Sequence, residues 1–247
     1  MKKKPLIYTP DNEPYLGRET LLAFDNAIIA SMKTNQKIAP YTYKVEKSDL
    51  QYAACQIIPQ GISIALSIRE LVRQGYLFGA LVLMRSLLER ATTILYLHHN
   101  PDKIKLWNDG WRYNERPSLS EMLTAIGKDK FPNIGSTITP TYNSLTHGDP
   151  ESAFWNLIRT EDGNVGYGVS KIIDNPSLCD KICLEGSTWL LVLISTAAGI
   201  FPNLDEYDNI CIKKIESMNN DCQIFFNAWY DFLISWPKFL KSKMRTI

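Results

Sequence analysis

GYLFGALVLMRSLLERATTILYLHHN, Gly75 to Asn100, decides the fold. At 100° per residue, Phe78, Val82, Arg85, Glu89, Thr92 and Tyr96 fall on one stripe of a helix, with Leu83, Leu87, Ala91 and Ile94 opposite. Leu77, Leu81, Met84, Leu88 and Leu95 fill a third side, so only the arc of Ser86, Arg90 and Thr93 suits water. A helix apolar on so many sides belongs at the centre of a bundle. Arg85 and Glu89 stand where that arc meets buried surface. If buried, each needs a partner, because an unpaired charge away from water costs several kcal/mol. If exposed, they form an ordinary i,i+4 ion pair worth roughly 0.2 to 0.5 kcal/mol. The sequence supports both readings.

Toward the N-terminus, Gly75 is a natural residue to end a helix, and the short link to Tyr76 makes the flanking helices antiparallel neighbours. The preceding run, DLQYAACQIIPQGISIALSIRELVRQG, has Ser48 as its N-cap. Pro59 and Gly61 predict a kink there, or a split into two helices, the second from Ile62 to Gln74. Arg69 and Glu70 near its end read as solvated. Leu21, Leu22, Ala27, Ile28, Ile29 and Met32 recur at helical intervals and predict a first helix from Gly17. Residues 1–16, with three lysines and three prolines, read as an extended arm.

Toward the C-terminus, Pro101 opens a segment whose Trp107 and Trp111, four apart, predict one packed face. Ser118 and Glu121 have capping-box spacing ahead of a short helix closed by Gly127. Pro140 suits the first turn of another, TYNSLTH, which ends at His147 and Gly148. Residues 159–173 carry three glycines among alternating Val165, Tyr167 and Val169, a pattern for a small hairpin or an irregular loop. Asn175 and Pro176 begin a helix through Phe201, and Glu206 to Trp236 shows helical intervals again. A basic tail, Lys238 to Arg245, reads as a solvated end. The expected architecture is an all-α bundle of seven to nine helices, with residues 17–247 forming one domain.

Composition narrows the function. With 27 basic and 26 acidic residues, no strong overall field draws the chain to nucleic acid or anionic lipid, so any RNA contact must be local. Five cysteines, Cys55, Cys179, Cys183, Cys211 and Cys222, have no secretory leader ahead of them and fit a reducing cytoplasm better than a disulfide framework. Cys179 and Cys183 are four apart, but no second Cys or His pair nearby completes a four-ligand set, so they read as core cysteines and no metal or cofactor is expected. The apolar run Ser187 to Phe201 is fifteen residues, against the roughly twenty a bilayer requires, and reads as a buried helix with no membrane partner.

No Gly-x-Ser-x-Gly elbow supports a Ser-His-Asp triad, no Glu-x-x-His pair supports a two-metal bundle, and no pair of carboxylates stands out for glycoside chemistry. His98 and His99 end the central helix, where the partial negative charge favours an imidazolium and a capping role. His147 ends a helix in the company of Tyr142, Asn143 and Ser144. One His, one Arg and polar neighbours suit RNA cleavage without metal: an imidazole moves the 2′-hydroxyl or leaving-group proton, and a guanidinium stabilises the phosphorane.

Arg85, Ser86, Leu87, Leu88 and Glu89, followed by Tyr96 and later by Tyr142, Ser144 and His147, resemble a group of bacterial helical proteins with an R-S-L-x-E helix and a later Tyr-x-x-Ser helix ending in His. The resemblance runs from about Gln56 to His147 and extends to the HEPN superfamily of small helical bundles. It implies a frequent homodimer and, in some members, ribonucleases of toxin–antitoxin and phage-defence systems. Carried over residue by residue, it implies His147 as general acid/base, Arg85 on the phosphate, Glu89 orienting Arg85, and Asn143 positioning the substrate. Tyr142, Ser144 and Tyr96 would then be binding residues. The Arg that precedes the His in the nuclease signature is missing, since Pro140 to Asn143 contains none. Arg85 replaces it only if the two side chains meet. The alternative is a non-catalytic helical module that binds a protein partner or small ligand, in which Arg85, Glu89 and His147 form a polar network setting helix register.

Overall fold

The computed structural model describes residues 13–43, 46–112, 115–127, 134–147, 152, 157–159, 162–167, 172, 175–202 and 204. The chain divides into two units, Met1–Pro202 and Asn203–Ile247, and every element below belongs to the first. The segment from Glu206, the basic tail and most of the N-terminal arm lie outside the described residues.

Seven α-helices are found among the described residues: α1 Glu19–Ile38, α2 Asp49–Arg73, α3 Leu77–His99, α4 Ile104–Asn108, α5 Leu119–Gly127, α6 Ile134–His147 and α7 Pro176–Ile200. A two-stranded antiparallel ribbon joins β1 Leu157–Arg159 to β2 Val165–Tyr167, with Ile158 opposite Gly166. The architecture is all-α, and the ribbon is the hairpin alternative for that glycine-rich stretch.

α3 is central, as its apolar girth requires. It packs most extensively on α2, then on α7 and α5, while α1 packs on α7. Leu77, Met84, Leu87, Leu88, Ile94 and Leu97 are fully buried. The α2–α3 corner is a Schellman turn: Gly75 N–H donates to the Val72 carbonyl, Tyr76 N–H to that of Leu71, and Gly75 takes φ +81°. At the other end of α2, Ser48 Oγ accepts from Gln51 N–H while the Gln51 side chain accepts from Ser48 N–H, closing a capping box. Ser118 and Glu121 make the same box on α5.

Several expectations fail for tertiary reasons. α2 does not split, because Pro59 sits inside one continuous helix. Beside it, Gly61 is the surface on which α7 rests: a Cβ there would lie 2.9 Å from Leu193 Cδ2. α6 does not start at Pro140 but six residues earlier, where Gly135 lets the α6 backbone approach Ser120 of α5 more closely than a side chain allows. Trp107 and Trp111 share no helical face, since α4 ends at Asn108 and Gly110 turns the chain with φ +76°. Both tryptophans are half-buried.

Arg69 is not solvated. It bonds Asp25 and Glu13 and its side chain is 17% exposed. Leu22, Ile29 and Met32 face outward from α1, whose buried side is Leu21, Phe24, Ala27 and Ile28. The described end of the N-terminal arm is a turn fastened down by the Tyr15 hydroxyl, which donates to the Ile172 carbonyl at 2.7 Å. The apolar run beginning at Ser187 belongs to a helix of 25 residues, long and apolar enough to cross a membrane by length and composition. In this unit, 67% of that helix's most apolar window is buried, against α1, α2 and α3.

Candidate functional site

Arg85 projects from the middle of α3 onto the last turn of α6. Its Nη1 donates to Asn143 Oδ1 at 2.6 Å and to Thr146 Oγ1 at 3.0 Å, and its Nε donates to Glu89 Oε1 at 3.1 Å. Asn143 and Thr146 are three apart and therefore share one face of α6. The Thr146 hydroxyl in turn donates to the Tyr142 carbonyl. Arg85 and Glu89 are 22% and 19% exposed, so the actual state lies between the two readings of the sequence: a half-buried i,i+4 pair with further partners on a distant helix.

Glu89 also faces Arg90, at 3.9 Å from its Nη1, so one carboxylate lies between two guanidinium groups. Asn143 and Thr146 accept hydrogen bonds without bringing negative charge. Among the described residues, Arg85 and Arg90 therefore share a single carboxylate, and Arg85 Nη2 carries no hydrogen bond to any described residue. An arginine held in this way presents a directed N–H edge to solvent.

His147 follows Thr146 and is exposed at the end of α6. Among the described residues no hydrogen bond or ion pair joins it to Arg85. The structure thus brings Arg85, Glu89 and Asn143 together and places His147 on the same helix end without a direct link. Ser144 is half-buried. Tyr96, eleven residues along α3 from Arg85, is about 16 Å away along the axis and buried in the bundle.

Tyr142 turns the other way. It is 2% exposed, and its hydroxyl donates to Glu185 Oε2 on α7 at 2.6 Å. Burial, reinforced by the neighbouring Glu185 charge and this hydrogen bond, pushes the phenol well above its ordinary range, while a side-chain bond with Trp189 pulls weakly the other way. Glu185 is itself buried, with Lys181 Nζ 4.0 Å from its second oxygen. This interlock escaped sequence reasoning. Its signal was a carboxylate in the apolar run of α7, one helical turn after Lys181.

His98 also departs from expectation. It packs on α7, where a Cβ on Gly199 would come within 3.2 Å of its Nε2. Its Nδ1 is buried and has no hydrogen-bond partner. Burial first, and the neighbouring His99 second, push its pKa down, so the helix-end imidazolium is disfavoured here. Asn100 caps instead, with its side-chain amide donating to the Tyr96 carbonyl.

Among the described residues no group of three or more His, Cys, Asp or Glu side chains gathers to hold a metal ion. Residues 51–125 match the model of a family described as of unknown function, DUF5677. That stretch runs from the first turn of α2 into α5. It includes Arg85 and Glu89 and stops short of Asn143 and His147. No curated protein and no solved structure significantly matches the chain.

Proposed function

We propose that this unit is a non-catalytic helical binding module that takes an anionic group, such as a phosphate, at the α3–α6 rim. One observation carries the reading. Arg85 is immobilised through Nε and Nη1 by Glu89, Asn143 and Thr146, while its Nη2 carries no hydrogen bond to any described residue. Fixing an arginine by three side chains lowers the rotamer entropy lost on binding. The α6 end thereby becomes a rigid recognition surface.

Titration of the full chain with inorganic phosphate and with a short single-stranded RNA tests this. Saturable binding that weakens at least tenfold in Arg85→Met, with RNA recovered uncut, is the expected result. Salt-insensitive binding, or binding unchanged by the substitution, would refute it.

A second reading is a metal-independent, HEPN-like ribonuclease of a toxin or phage-defence system, acting as a homodimer. The exposed His147, next to Thr146, favours it: an accessible imidazole near a fixed arginine is the pairing that 2′-hydroxyl chemistry needs. RNA cleavage by the wild type that vanishes in His147→Ala at unchanged melting temperature would establish this reading over the first.

A further inference from the structure

A second cluster lies where the first turns of α7 meet α1 and α2. Cys179 and Cys183 are free thiols, both fully buried, with their sulfurs 4.0 Å apart on one helical turn. The Asp180 carboxylate disfavours ionisation of both thiols, while Arg18 and Arg69 favour it at Cys179 and Arg69 favours it at Cys183. Arg69 Nη1 is buried and lacks a hydrogen-bond acceptor, although the rest of that guanidinium is satisfied by Asp25 and Glu13. A buried cationic N–H without an acceptor is a costly group, and here it lies near two soft donors.

We infer that Cys179 and Cys183 form a two-coordinate site for a soft monovalent cation of the Cu(I) class. Tetrahedral zinc requires four ligands and finds two, whereas Cu(I) is selected by thiolates. With metal–sulfur bonds of about 2.3 Å, sulfurs 4.0 Å apart subtend roughly 120° at the ion. Side-chain rotation that widens the gap by about half an ångström brings the arrangement near linear.

Binding displaces both thiol protons to solvent, turning a neutral dithiol and a cation into a bis-thiolate complex of charge −1. No electron is transferred. The two sulfurs already face each other in a hydrogen bond in which either can be the donor, and the ion takes the place of that shared proton. Because two protons leave, affinity rises by up to about a hundredfold per pH unit while both thiols are protonated.

The test is anaerobic titration of the full chain with Cu(I), supplied as its acetonitrile complex against a colorimetric chelator. One equivalent should bind in the wild type. Binding should persist in the triple variant Cys55→Ser, Cys211→Ser, Cys222→Ser, with X-ray absorption showing two sulfur neighbours. Cys179→Ser with Cys183→Ser should lose it, with circular dichroism unchanged. Failure of the triple variant to bind, or undiminished binding when both Cys179 and Cys183 are replaced, overturns the site. If the double variant does not fold, the triple variant and its sulfur count decide.

Discussion

Arg69 on α2 and Arg85 on α3 occupy comparable positions, each at the margin of the core on adjoining helices, yet the regions around them are built differently. Arg69 receives two carboxylates from the N-terminal part of the chain, Asp25 at 3.2 Å and Glu13 at 3.1 Å from its Nη2. Its charge is answered by the protein. Arg85 has one carboxylate, shared with Arg90, and two neutral acceptors. The first region is a fastening between helices, and the second is a fixed cation matched by a single shared carboxylate. Two arginines with similar sequence surroundings therefore differ in purpose according to what the tertiary fold brings to them.

The widest gap between the two should appear when each arginine is removed. Arg69→Met strands Asp25 and Glu13 in half-buried positions, and a loss of about 2 to 3 kcal/mol is expected. This would lower the melting temperature by roughly 5 to 10 °C. Urea unfolding measures it, and a loss as small as that of an exposed pair would erase the distinction. Next comes Tyr142→Phe, which removes the hydroxyl donor to buried Glu185 at about 1 to 3 kcal/mol. Adding Glu185→Gln should recover part of the loss in a double-mutant cycle.

Arg85→Met should cost less, about 1 kcal/mol, because its partners reach water when it is gone. It should instead abolish anion binding, which separates recognition from fastening. His98→Gln comes after that. A half-buried imidazole with a depressed pKa leaves the unfolded chain holding more protons than the folded one, so wild-type stability falls as pH drops through 6.5 toward the folded value. The Gln variant should remove that component in unfolding series between pH 7 and 5. The smallest effect is Glu70→Gln. Arg73 and Gln74 hold the Glu70 carboxyl at about 2, so its contribution fades as pH falls from about 4.5 toward 2. The pair is exposed, and its loss should reach only about 0.3 to 0.5 kcal/mol.

Legibility in the sequence follows the range of the interaction. Ser118 and Glu121 are three residues apart, so their capping box was visible before any fold was known; Ser48 was visible as an N-cap, but its box with Gln51 emerged only in the structure. Gly75 announced the α2–α3 corner for the same reason. The Arg85–Glu89 pair, four apart, was also visible. Its link to Asn143 spans 58 residues, so shared polarity suggested it but spacing alone did not specify it. Tyr142 was placed in the wrong surroundings: its partner Glu185 is 43 residues on, and nothing local distinguishes a tyrosine facing a rim from one facing a core. Pro59 does not split α2 and Pro140 does not open α6, because local propensity marks proline as a helix boundary whereas α2 packs through Gly61 on Leu193 and α6 through Gly135 on Ser120, and both helices run on through the proline.

The sequence by itself determined that α3 is buried on nearly every side, and with it an all-α bundle, because apolar area at a 3.6-residue period has to be covered. It also determined the helix caps, which close within a single turn. The tertiary structure alone decided which arginine receives two carboxylates and which shares one, and that burial pushes the His98 pKa down. Charge compensation and desolvation depend on neighbours that the chain delivers from tens of residues away.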